Sequence, residues 1–359
     1  MDQVTTTAEA FVRASEGVHW DAQELVATRN AMFAATGASD TRDAAFAVLV
    51  ARLERGSCAD ADALAYIALA AGALVEQGAD PEPLSRVLAR HLPEVLVRAR
   101  RHADRCLSHP SLVDADDEPP DEDPNDPFLA YADGIDLRRS IVRSVLEAEV
   151  GDLAALVHLR QWVLPAVASW TRVRSQLATL RGVPGLFDAV SAMRDSEAAW
   201  LEKLLAAQVD APWRLVLMRP GEVTRVFDVR VDQVTTNFEL HEEVERALSS
   251  VGLTAAPRRD DHVASSFELA LPSAAQHLAR TPHTSLPMTD IVWREGLPTD
   301  VPIWPEGPMG RRTLLLAPAT IRRSWSAGRT FAALEPEVRI ERELTGGERR
   351  AWLERLGVT

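Results

Sequence analysis

Arginine, serine and glycine are gathered in the stretch APATIRRSWSAGR at 317–329, and that composition suits an anion. The guanidinium groups of Arg322, Arg323 and Arg329 are of the type that clamps a phosphate or carboxylate in bidentate fashion, and the hydroxyls of Ser324 and Ser326 add donors. From Gly307 to Leu334 there are five arginines and no acidic residue, a local positive field in a chain of net charge −14. The competing reading pairs these arginines with the acidic N-terminal region as an interdomain contact. That contact needs no special geometry, and no Gly-rich phosphate motif accompanies the arginines.

A second set is His91, His102, Cys106 and His109, which on one helix would fall within about 60° of each other. His102, Cys106 and His109, at i, i+4 and i+7, are a metal-like triplet whose imidazole and thiolate groups suit zinc. Pro93 and Pro110 place the ends of this array near helix boundaries. Ala99, Ala103 and Leu107 are what a packed face offers, so ordinary packed or exposed histidines are the favoured reading and zinc the alternative.

His241 opens the pentapeptide HEEVE, in which Glu245 stands where a zinc protease needs its second histidine. With Asp260, Asp261 and His262 it could assemble a carboxylate and imidazole cluster, but helix-surface charges are the simpler expectation. The chain contains no GxSxG, no P-loop and no Rossmann glycine fingerprint.

The elements that must position these groups follow from composition and period. A chain of 359 residues with 46% hydrophobic content can build two domain cores. Its longest apolar run, Ala63 to Val75, is too short for a bilayer, and the first twenty residues lack a secretory order, so a cytoplasmic protein is expected. Two cysteines, Cys58 and Cys106, do not make a disulfide framework. Residues 1–127 hold 23 acidic and 11 basic side chains, against 30 and 28 in the remainder. Such an N-terminal region repels nucleic-acid phosphates and attracts a basic partner protein. Of 39 basic residues only Lys203 is a lysine, a compositional trait before a functional one.

The expected fold class is α+β: a helical N-terminal bundle or irregular helical stack followed by a mixed α/β domain. Residues 1–113 read as an acidic helical region, with helices near 21–36, 41–55, 60–77 and 82–108 and cap-like Thr6-x-x-Glu9 and Asp21-x-x-Glu24. The stretch 114–127, with eight carboxylates and four prolines, is an acidic loop or linker whose proline content defeats an EF-hand calcium pattern. Helical pattern resumes over 128–210, with core tryptophans at 162, 170 and 200 and a kink or break at Pro165.

From residue 211 the period changes. Trp213 to Met218 and Val223 to Val231 read as strands joined at Pro220-Gly221, and Thr236-x-x-Glu239 caps a helix reaching about Ser250. Phe267, Leu269 and Leu271 alternate as a half-buried strand, and Thr313 to Ala317 suits a central one. Val338 and Ile340 mark another strand, and Thr345-x-x-Glu348 starts a terminal helix closed by Gly357. The Pro-rich 295–308 reads as an ordered loop.

Three blocks, Asn237 to His241 (NFELH), Glu295 to Pro302 (EGLPTDVP) and Arg323 to Arg329 (RSWSAGR), resemble those of an uncharacterised bacterial protein family. The resemblance implies a bacterial setting and no particular activity. The expected function is a noncatalytic interaction, regulatory or immunity-like component of a cytosolic complex. The alternative is an enzyme or sensor holding an anionic small molecule at the arginine-rich loop.

Overall fold

A computed structural model describes residues 3–16, 22–57, 60–108, 150–173, 177, 179–180, 182–193, 196–219, 221–254, 263–264, 267–280, 312–318, 324–325 and 331–358. The chain divides into two compact units, Met1–Leu205 and Ala206–Thr359. Helices come first and a mixed sheet second, so the fold class is α+β. None of the described helices is long and apolar enough to cross a membrane. The acidic stretch 114–127 and the Pro-rich 295–308 lie outside the described residues.

The first unit contains α1 (Gln3–Ser15), α2 (Ala22–Ala35), α3 (Ser39–Arg55), α4 (Ala61–Glu76), α5 (Pro81–Ser108), α6 (Val150–Val157), α7 (Leu159–Trp170), α8 (Leu186–Met193) and α9 (Ser196–Ala206). Thr6 and Glu9 fall inside α1 and do not open it, because the helix already starts at Gln3. Pro165 is carried within α7, and the break comes at His158 instead. At Pro165 the helix meets α4: a Cβ on Gly72 would lie 2.6 Å from the proline Cβ, so only glycine permits this approach. Trp162 and Trp170 are wholly buried as expected, whereas Trp200 is 36% exposed. The single lysine, Lys203, is fully buried on α9.

The second unit is a five-stranded sheet in the order β4-β5-β1-β2-β7. Its strands are β1 (Ala211–Leu217), β2 (Arg225–Asp232), β4 (Phe267–Ala270), β5 (Arg312–Pro318) and β7 (Glu337–Leu344), and β3 (Val263–Ala264) pairs separately with β6 (Ser324–Trp325). β1 and β2 form the expected antiparallel hairpin around Gly221, whose φ of +75° glycine alone adopts readily. β1 runs parallel to β5, and every other pairing among the described strands is antiparallel.

Both sheet faces are covered. On one, Trp213, Leu215, Phe227, Val229, Leu314 and Leu316 pack with Leu240, Val244 and Leu248 of α10 (Asn237–Ser250). On the other, Val216, Val226, Leu315 and Leu344 pack with Leu278 of α11 (Ala275–Arg280) and Trp352 of α12 (Gly346–Arg355). That double cover explains why β4 is buried at all four positions rather than at alternate ones.

Candidate functional site

Arg214 and Asp228 stand directly opposite each other on the hairpin, and Arg214 is the one charged residue of β1. Both are buried, at 6% and 4% exposure. The Arg214 Nε donates to Asp228 Oδ1 at 2.9 Å and its Nη2 donates to the same oxygen. Arg342, opposite Asp228 on β7, donates from Nε to Oδ2 at 3.0 Å and from Nη1 to Glu348 at 2.8 Å. The Arg214 guanidinium lies 4.0 Å from the ring centroid of Trp352, a cation–π stack beneath α12.

A β-bulge makes this arrangement. Val229 pairs with Ile340 and Asp228 with Arg342, which leaves Glu341 as the extra residue. Arg230 Nε donates to the Glu341 carboxylate at 2.9 Å, so the surplus position becomes an ion-pair partner. The cluster escaped sequence reading, but a signal was present: counting outward from the hairpin turn puts residues 214 and 228 face to face.

His241 is buried at 2% exposure, and so are Glu243 and Glu245, which overturns the expectation of helix-surface charges. Its Nε2 lies 3.1 Å from the Phe267 carbonyl oxygen, and its ring stacks on that of Phe267 at 5.3 Å. Burial pushes the imidazole pKa down to about 4, so the ring is neutral at physiological pH and ties α10 to β4. Glu239 is likewise enclosed. Its Oε2 accepts from the Thr235 and Thr236 backbone N–H groups and the Thr235 hydroxyl, while Thr236 Oγ1 accepts from Glu239 N. The predicted capping box is thereby complete.

His91 is held between helices. Its Nε2 lies 3.0 Å from the Leu53 carbonyl oxygen at the end of α3, and burial lowers its pKa. His102 is buried on the same helix, α5. Cys106 falls within α5 with its side chain outside the description, and His109 lies outside the described residues. Among the described residues no group of three His, Cys, Asp or Glu side chains is placed to hold a metal ion.

Of the arginine-rich stretch, Arg322, Arg323, Ser326 and Arg329 lie outside the described residues, as do Asp260, Asp261 and His262. The backbone of Ser324 is described, in β6 opposite Ala264. Along the chain two residues separate β3 from β4 and five separate β5 from β6, and β3 and β6 pair with each other in a sheet of their own. Two stretches that sequence reading singled out separately, 260–262 and 322–329, thus adjoin the same pair of short strands. The parallel strands β1 and β5 both end here, and Arg219, just past β1, donates to the Leu253 carbonyl at 2.7 Å.

The chain matches no family model, no curated protein and no solved structure.

Proposed function

We propose that this chain is a noncatalytic interaction protein, a regulatory or immunity-like component of a bacterial cytosolic complex, which docks a basic protein through its acidic helical unit. The observation that carries this reading is α2. Among its described side chains it buries only Met32 below a tenth of its surface, while Val26 is 43% exposed and Leu25 and Phe33 are half-buried. α2 itself holds one acidic and one basic residue, so the steering comes from the acidic excess of the wider segment 1–127 and the exposed apolar side chains of α2 give a place to land. The test is native mass spectrometry and a pull-down from the original host. A stoichiometric basic protein lost on Val26→Asp supports the reading. A chain isolated alone with a stoichiometric small ligand defeats it.

A second reading is favoured by the strand ends. In sheets with parallel strands, ligands settle beyond the carboxyl ends of those strands. Here the parallel pair β1 and β5 leads on one side to Arg219 and on the other into the arginine-rich stretch. An anionic small molecule held there by Arg322, Arg323 and Arg329 would make the C-terminal unit a sensor or an enzyme. Calorimetric titration with inorganic phosphate, compared with Arg323→Ala, separates this from the first reading.

A further inference from the structure

We infer that α12 is a latch that opens as a unit about Gly346 and Gly347 while the sheet and α10 remain folded, uncovering the Arg214–Asp228 pair and the apolar positions Val216 and Val226 beside it. Four observations converge on it. Within the helix itself only Trp352 is buried, whereas α10 buries eight of its fourteen residues. The entry to the helix is two glycines, Gly346 at φ +53°, and a Cβ at either would meet nothing within 4 Å. Thr345 makes no side-chain cap bond, so the first turn lacks the anchor that α10 possesses.

The fourth observation is Trp352. Its Nε1 is buried with no acceptor among the described residues, so closing the helix strips an indole N–H of water without a replacement. Opening restores that bond to solvent. The contacts given up include the indole over Arg214, the packing of Trp352, Leu353, Leu356 and Val358 on the apolar sheet face, and the exposed Arg342–Glu348 bridge. What opening exposes does not fall apart, because Asp228 still accepts from Arg214 and Arg342 within the sheet. The latch goes beyond the proposed function, since it is a property of the isolated chain and needs no partner.

Native-state hydrogen exchange of the full chain across sub-denaturing urea tests it. The amides of 349–356 are expected to exchange at least about tenfold faster than those of α10 and β1, with a weaker urea dependence. Equal rates and equal urea dependence for all three would overturn the latch. Glu239→Ala provides a second arm, because it weakens α10 and the sheet packed on it without touching α12. Exchange of α10 and β1 then rises while that of α12 stays unchanged; a rise in α12 by the same factor means that α12 opens only with the whole unit.

Discussion

Two helices of the C-terminal unit begin with the same spacing, Thr236-x-x-Glu239 and Thr345-x-x-Glu348, and only the first becomes a capping box. Glu239 is enclosed at 3% exposure, where water does not compete for its oxygens and three donors of Thr235 and Thr236 converge on it. Glu348 is exposed, and Arg342 on the preceding strand offers it a full charge instead of a backbone N–H. Gly346, at positive φ, also turns the backbone away from the geometry a box requires. A capping motif in a sequence is therefore an offer that burial accepts or declines.

The comparison breaks most severely beneath α12, at Asp228. Asp228→Ala leaves the buried Arg214 without its acceptor and should cost roughly 3–5 kcal/mol of the unit's stability, read from urea unfolding. A loss near zero would mean that the guanidinium reaches water once the acid is gone. Next comes the box itself. Glu239→Ala strips three enclosed donors of one acceptor and should cost about 2–3 kcal/mol, measured as the change in exchange free energy of α10 amides.

The third effect separates the two helices by pH. His241 has a folded pKa of about 4 against 6.5 for the free side chain, so the unfolded chain takes up the proton first. Its contribution is fully present above pH 6.5 and is lost as pH falls towards 4. Between pH 7 and pH 5 the loss is about 2 kcal/mol, and His241→Gln should flatten that slope. Exchange of α10 amides is the proper readout, because His91 in the helical unit is also lowered by burial and contributes with the same sign. The smallest effect is expected at Glu348→Ala, which should leave the urea midpoint where it is, since both partners of its bridge face water. An effect as large as that of Glu239→Ala would erase the contrast between the two helices.

Much of the fold was legible because local rules and burial agreed. The four helices expected before residue 110 appear within a few residues of their expected limits, since glycines and caps coincide with changes in apolar period. The hairpin was legible for the same reason, with Gly221 at its turn. Pro165 misled, because a proline inside a helix is tolerated where a facing glycine, Gly72, makes room for its ring. HEEVE misled in the opposite sense. A run of charges on a helix normally faces water, yet here the helix lies against a sheet and its imidazole accepts burial by remaining neutral. Of the candidate sites, the zinc reading of His102, Cys106 and His109 and the anion reading of Arg322, Arg323 and Arg329 draw on residues beyond the described ones. The Arg214–Asp228–Trp352 cluster carried no motif at all.

The sequence by itself determined the α+β order, the position of the hairpin, the apolar stripes and the concentration of negative charge in the first 127 residues, because each depends on residue type and near-neighbour spacing. Only the tertiary structure decided which charges are buried, which of two identical cap spacings closes, and that Trp352 stacks on Arg214 across more than a hundred residues of chain. The physical reason is that desolvation and ion pairing are set by what lies opposite a side chain in space, and strand register and helix placement, rather than sequence distance, fix that neighbour.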